Sequence, residues 1–214
     1  VDNKRLNIDN HLGAYLELDS TNKESLIIRD ILAHQGRLDS WIPFYKQTLV
    51  KDSVSGKINL RDTLYSTISS EKYPYQVASG IFLHKQYSDS IIHQIKESEI
   101  LENKKYLYSD LGYYMFKEMI EKEYTESLEK VTDKLFYKSL GMENLGYLPL
   151  DRIDKDRIVP SEMDFEFRSQ LLQGYVHDMG AAMQGGVGGH AGLFSNSNDL
   201  AKLMQMYLQN GEYG

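Results

Sequence analysis

Five glycines lie within the eight residues 185–192, which read GGVGGHAG around a single histidine. Ordered glycine costs backbone entropy and weakens helices and strands alike. Such a segment is therefore either a flexible linker or a backbone that another group approaches closely. The chain runs on through GLF directly into NSNDLAKLMQMYL, without the serines and charges of a spacer. We predict a short sheet-edge strand whose exposed glycines let another molecule's backbone lie alongside.

The residues that follow the glycines have helical periodicity. Apolar side chains form one stripe, and Asn196 or Ser197 can cap its start, with Gly211 closing its end; the stripe comprises Leu200, Leu203, Met204, Tyr207 and Leu208. Similar patterns predict helices at about 25–35, over SDSIIHQIKESEI, over LGYYMFKEMIEKEY after Ser109 or Asp110, and over TESLEKVTDKLFYKSLGM. The stretch 144–180 carries two prolines and many charges, and we expect it to be irregular.

Composition limits the class of protein. The 214 residues are 41% hydrophobic and 26% charged, which fits one globular domain. The net charge of −7, with both signs spread along the chain, disfavours nucleic acid as a partner. No apolar run approaches the roughly 18 residues of a membrane span, and the six histidines show no metal-ligand spacing. We expect no cofactor and no metal.

Two motifs together resemble a known family. YSDLGYY opening a helix, followed by GGVGGHAGLFSNSNDLAKLMQMYL, resembles the penicillin-binding-protein and serine β-lactamase superfamily. The likeness is greatest to its class C-like esterases and D-alanyl peptidases, and to the β-lactamase-like domains joined to glycoside hydrolase family 3 β-N-acetylglucosaminidases. LIIRDILAHQGRLDSW is similar to the family segment that follows its S-x-x-K helix.

The resemblance implies an architecture. We expect an α+β fold, predominantly helical here, with remnants of an antiparallel sheet. The chain would be a single partial domain over 1–214. Its parts would be a helical and irregular region at 1–105, helices and a cleft loop at 106–184, and a sheet-edge strand and helix at 185–214.

Tyr108 matches the tyrosine of the family motif Y-x-N, which moves a proton between nucleophile and leaving group. Independently, a phenol at a helix N-terminus has its anion stabilised by the helix dipole, which favours a lowered pKa. The structural alternative is a half-buried tyrosine that caps a helix.

Asp110 stands where the family has asparagine. A carboxylate only accepts hydrogen bonds, so recognition of an amide substrate departs from the family pattern. Ser109-Asp110-Leu111 also fits the class A motif S-D-N, but loses its last residue.

His190-Ala191-Gly192 matches the K-T-G motif in its H-x-G form. The resemblance implies that His190 hydrogen-bonds the substrate or supplies positive charge, and that the Leu193 N–H helps to bind an oxyanion. Gly189 would also line the substrate path. A surface histidine beside a turn is the structural alternative.

His177 and Asp178 lie on the loop that leads into the glycine segment. They are candidates for lining the substrate cleft. An ordinary salt-bridged pair is the alternative interpretation.

The family's nucleophile is the serine of S-x-x-K. Three such strings occur, at Ser20–Lys23, Ser69–Lys72 and Ser127–Lys130, and about one or two are expected by chance. None lies in the right context or order. We therefore predict the middle of a serine hydrolase domain, with its nucleophile upstream, that is inactive alone.

The expected substrate is a small ester, D-alanyl amide or β-lactam, or one derived from peptidoglycan, and the expected partner is the rest of the parent polypeptide. Cell-wall chemistry implies an extracytoplasmic location. The alternative function is a non-catalytic module that holds cell-wall glycan or peptide beside a β-N-acetylglucosaminidase.

Overall fold

The structure is a computed structural model that describes residues 5–212. Six α-helices occur within these residues: α1 (Ile28–Leu32), α2 (Lys85–Glu97), α3 (Leu111–Tyr124), α4 (Leu128–Thr132), α5 (Met179–Met183) and α6 (Ser197–Leu208). A π-helical turn, Asp133–Tyr137, continues α4, and four 3-10 turns occur at Leu12–Ala14, Phe44–Thr48, Pro149–Asp151 and Lys155–Arg157.

Three small antiparallel sheets accompany the helices. β1 (Leu49–Lys51) pairs with β2 (Ile58–Leu60), and β6 (Glu162–Asp164) pairs with β7 (Gln170–Leu172). The third sheet has the order β3-β5-β4, formed by Tyr65–Ser66, Ile81–Leu83 and Tyr75–Ala78. The predicted α+β class is therefore confirmed.

The main core joins the helices to the third sheet. α3 contributes an inward face, with Leu111 and Met115 fully buried, and α2 adds Ile91 and Ile95. Ala181, Ala182 and Met183 of α5 belong to the same core. As a result, the start of α3 and the segment after α5 are both anchored to one packed interior.

The predicted helices are confirmed, with changes in extent. α1 ends earlier than expected because His34, in the left-handed conformation at φ 55°, follows its C-cap Ala33. Asn196 caps α6 by accepting a hydrogen bond from the Asp199 N–H at 2.8 Å. Most of the apolar stripe on α6 is exposed, and only Leu203 packs against a small cluster of Tyr137, Met142 and Leu145.

The strand predicted within residues 185–195 is not formed. Gly185, Gly186 and Gly192 have φ values of 77°, 86° and 120°, which are incompatible with regular strand geometry. The segment is a series of turns, and it meets other backbone through an isolated bridge between Gly146 and Phe194. The sheet-edge placement expected for 185–195 is wrong for this reason.

Candidate active site

Tyr108 lies three residues before Leu111, the first residue of α3, on a loop fixed to the segment after α1. The Ser109 hydroxyl donates to the Asp39 carbonyl at 2.6 Å and accepts from the Leu111 N–H at 3.2 Å, so Ser109 ties the helix start in place. Asp110 occupies the N-cap position without a side-chain capping bond. Tyr108 itself is 58% exposed. It therefore does not cap the helix, and its side chain is accessible to a ligand.

His34 is the residue near Tyr108 that sequence reasoning missed. Its Nδ1 accepts a hydrogen bond from the Ser109 N–H at 3.2 Å. Its ring centroid lies 4.6 Å from that of Tyr108, 5.5 Å from Tyr113 and 5.9 Å from Tyr106. Because Nδ1 is an acceptor, the neutral ring carries its proton on Nε2. No local pattern signals this contact, since 74 positions of the sequence separate His34 from Tyr108.

The electrostatics at Tyr108 differ from expectation. The charge of Asp110, with a contribution from burial, raises the pKa of the Tyr108 phenol above its usual value. The expected lowering by the helix dipole is wrong because a carboxylate, rather than a neutral cap, sits at the helix start. The carboxylate of Asp110 therefore opposes ionisation of this phenol.

Gly189 connects the glycine segment to α3. A Cβ at this position would lie 2.1 Å from the carbonyl oxygen of Tyr113, in the first turn of α3. The close backbone approach predicted for the glycines is therefore made by the protein's own helix. It also brings the segment that carries His190 against the helix that follows Tyr108.

His190 is buried and engaged by the protein. Its side chain is 3% exposed, and Nε2 lies 2.9 Å from Oδ1 of Asp178. The ring stacks on Tyr114, with centroids 4.2 Å apart and planes inclined by 19°. Asp178 also accepts from the Ala181 N–H at 2.6 Å, which caps α5. His190 is thus not a surface histidine, and Asp178 pairs with His190 rather than with His177.

A cavity of about 450 Å³ lies beside the glycine segment. Its lining includes the predicted catalytic residues His190 and Leu193 and four of the predicted substrate-binding residues: His177, Gly189, Ala191 and Gly192. Tyr147, Ser161, Val176 and Phe194 complete the wall. Tyr108, Asp110 and Asp178 are not among its lining residues. The structure therefore brings most of the predicted site together around one cavity, whereas Tyr108 is exposed and lies outside its lining.

Arg168 holds one wall of this cavity and was not anticipated. Its side chain is fully buried, and Nε donates to Oδ2 of Asp164 at 2.6 Å. The other guanidinium nitrogens donate to the carbonyls of Val176 at 2.7 Å and His177 at 2.6 Å. The position of the His177 backbone is thus set by a buried cation, which the local sequence does not reveal.

Comparison with known proteins identifies the family. The family model described as Beta-lactamase matches residues 1–214. This chain belongs to the beta-lactamase family. A Salmonella paratyphi B protein described as "Putative D-alanyl-D-alanine carboxypeptidase" is 30% identical over 208 residues, which cover 86% of this chain and 48% of that protein. The chain spans about half the length of the curated relatives it matches.

Solved structures share this fold. The octameric penicillin-binding protein homologue from Pyrococcus abyssi superposes with a TM-score of 0.60 at 19% identity, covering 98% of this chain and 41% of that one. A beta-lactamase/D-alanine carboxypeptidase from Yersinia pestis gives a TM-score of 0.57 at 14% identity, covering 96% of this chain and 48% of that one. The fold is therefore that of β-lactamases and penicillin-binding proteins.

Within residues 5–212, no group of three or more histidine, aspartate or glutamate side chains is arranged to hold a metal ion. In the same range, no helix has the length and apolar character needed to cross a bilayer.

The contact between Asp178 and His190 predicts a pH dependence. Burial alone would raise the pKa of the Asp178 carboxyl, but the hydrogen bond and charge of His190 and the Ala181 N–H outweigh it, and the net pKa is lowered. A lowered native pKa contributes stability above the unfolded value near 3.9, and this stability is lost as pH falls through the native value. Below about pH 5, we expect the free energy of unfolding of Asp178→Asn to fall less steeply with decreasing pH than that of the unaltered protein.

Urea unfolding midpoints at pH 6, 4 and 3 measure this effect. Asp62→Asn, at an exposed position, is the matched control and should follow the unaltered protein at every pH. If the midpoints of all three proteins fell equally with pH, Asp178 would not contribute to the loss of stability in acid.

Proposed function

We propose that this protein forms part of the catalytic cleft of an acyl-serine hydrolase that acts on D-alanyl peptides derived from peptidoglycan. Membership of the beta-lactamase family and the similarity to proteins described as D-alanyl-D-alanine carboxypeptidases support the proposal. The observation that carries it is the close approach of Gly189, in the cavity-lining glycine segment, to the Tyr113 carbonyl of α3, the helix that the exposed Tyr108 precedes.

Each residue has a proposed role in the acyl transfer. A serine hydroxyl attacks the carbonyl carbon, its proton passes to a base, and the departing amine takes up a proton from Tyr108. The backbone N–H of Leu193 makes no hydrogen bond within the described residues, which leaves it free to bind the developing oxyanion. Asp110 can accept the N–H of the D-alanyl amide. His190 positions the cavity wall through Asp178 and Tyr114 instead of binding substrate directly.

The three S-x-x-K strings within this chain are poor nucleophile candidates. Ser20 lies in an exposed turn at φ 66°, and the lysine of its string, Lys23, is buried with Nζ donating to Asn22. Ser127 donates to Glu129 at the start of α4. Ser69 lies in an exposed loop. These contacts support a nucleophilic serine elsewhere in the protein and no activity from the 214 residues alone.

Covalent labelling tests the proposal. A polypeptide carrying about 60–100 additional residues upstream, within the length of one domain, is incubated with a fluorescent penicillin or a fluorophosphonate. We expect an adduct by intact mass that maps to an upstream serine. The 214-residue chain alone should give none.

Tyr108→Phe in the longer polypeptide should slow acylation on the order of 10²-fold, because proton transfer to the leaving group is lost. Tyr106→Phe is the matched control, since Tyr106 is also exposed and also contacts His34. Equal rates for the two variants would contradict the role of Tyr108. A folded longer polypeptide without any adduct would overturn the hydrolase and favour a glycan- or peptide-binding module beside a β-N-acetylglucosaminidase.

A substrate derived from peptidoglycan also implies a location. We propose that the site works outside the cytoplasm, as expected for cell-wall chemistry. Fusion to a glycoside hydrolase family 3 domain, suggested by the motifs, belongs to the same proposal.

A further inference from the structure

A second cavity, of about 400 Å³, lies between α2, α3 and the residue that follows α5. Its polar lining comes from Asp89, His93 and Lys96 of α2, from Lys117, Glu118 and Glu121 of α3, and from Gln184. It shares no lining residue with the cavity beside the glycine segment. Nothing in the proposed acyl transfer uses these groups.

Two acceptor atoms on residues that line this cavity lack a donor within residues 5–212. Gln184 is 8% exposed, and its Oε1 has no hydrogen-bond partner in the described part of the chain. The oxygen and nitrogen of an amide exchange places on a flip, so a ligand can meet either. Oε2 of Glu118 is also buried, with no hydrogen-bond partner among residues 5–212, while its Oε1 accepts from Lys96 at 3.3 Å. Since buried polar groups are normally hydrogen-bonded, both atoms point to a missing donor.

The same cavity holds a cation without a partner. Lys117 makes no ion pair within 4.0 Å in residues 5–212, although it lies on the helix that carries Glu118 and Glu121. Burial lowers the pKa of the Lys117 ammonium, and the charges of Glu121 and Glu129 only partly offset this. An anionic ligand atom would satisfy this ammonium.

We propose that this cavity binds a free amino acid as a zwitterion. The ligand carboxylate pairs with the Lys117 ammonium, and the ligand ammonium donates to Oε2 of Glu118 and to the Gln184 amide. The rings of Tyr75 and Tyr114, with Ile92, provide an apolar wall for a small side chain. Opposite charges within one cavity fit a zwitterion better than a simple anion or cation.

Tyr114 links this site to the cleft. It lines the amino-acid cavity, and its ring also stacks on His190 at 4.2 Å. A ligand that orders Tyr114 would therefore act on the wall of the first cavity. D-alanine is the amino acid we commit to, because a D-alanyl carboxypeptidase releases it. That choice rests on the proposed function, whereas the site itself does not.

Titration calorimetry with D-alanine, L-alanine, acetate and ethylamine tests the proposal on the 214-residue chain. We expect both alanines to bind, with D-alanine binding more tightly. Acetate and ethylamine, which each carry only one of the two charges, should bind at least 10-fold more weakly than D-alanine. Lys117→Met should weaken binding at least 10-fold, and Lys117→Arg should retain most of it. Lys122→Met, on the same helix with an exposed side chain, is the matched control and should bind like the unaltered protein.

Unfolding of the variant would not explain a loss of affinity in Lys117→Met. Lys117→Met removes a partly desolvated charge, so its melting temperature should equal or exceed that of the unaltered protein. Absence of alanine binding, or unchanged affinity in Lys117→Met, would overturn the amino-acid site. Calorimetry measures binding and needs no turnover, so it still tests the amino-acid site if the longer polypeptide forms no acyl adduct. The amino-acid site and the proposed hydrolase function can therefore fail independently.

Discussion

Replacing Asp164 with alanine should lower the free energy of unfolding by about 3–5 kcal/mol, the range found when one partner of a buried ion pair is removed. The Arg168 guanidinium is fully buried, and Asp164 is its closest anion, at 2.6 Å. Asp164 also accepts from the N–H groups of Phe167 at 2.9 Å and Arg168 at 3.1 Å, so the substitution leaves several donors unsatisfied. Equilibrium urea unfolding measures the change.

The exposed pair Arg29–Asp9 is the matched control. Its Nε–Oδ1 distance is also 2.6 Å, but both side chains are more than half exposed. Asp9→Ala should therefore change stability far less, because exposed pairs are screened by water and salt. Similar losses in the two variants would show that burial does not set the strength of the Asp164–Arg168 contact.

Gly189→Ala should lower the free energy of unfolding by about 3 kcal/mol, the upper part of the range for overpacking. The added Cβ would lie 2.1 Å from the Tyr113 carbonyl oxygen, and backbone within a helix cannot move aside as a flexible side chain can. Either the segment or the first turn of α3 must shift. In the longer polypeptide, we also expect slower acylation, because the cavity and Tyr108 would separate.

Gly80→Ala separates this steric effect from the cost of backbone conformation. Gly80 has a φ of 66°, and a Cβ there meets nothing within 4 Å. Its substitution should cost only about 1–2 kcal/mol, the penalty for a left-handed residue. Chemical denaturation of both variants provides the comparison. A smaller loss in Gly189→Ala than in Gly80→Ala would mean that the segment adapts to the added methyl group.

Local patterns predicted the long helices because their information lies within a few turns. α2, α3 and α6 were found from apolar spacing and caps such as Asn196. The strands between residues 49 and 83 were not foreseen, since each has only two to four residues and little alternation. The exposed stripe of α6 shows that periodicity identifies an apolar face but not whether anything covers it.

The candidate site was only partly predictable. Family motifs pointed to Tyr108 and to the glycine segment, and the structure places them on neighbouring elements through Gly189. The contacts of His34 with Ser109, and of Arg168 with the His177 carbonyl, depend on tertiary packing. His190 shows the same limit, because its burial against Tyr114 could not be read from the residues around it.

The packing of the glycine segment restricts how this cleft can diversify. Surface loops usually accept substitution and so supply new specificities. Here a Cβ at Gly188 would lie 2.9 Å from a side-chain atom of His190, and a Cβ at Gly189 would lie 2.1 Å from the carbonyl oxygen of Tyr113. The exposed residues that line the cavity are Ser161, His177 and Leu193. Selection for a new substrate should therefore change these three positions, while the glycine segment stays as constrained as core residues.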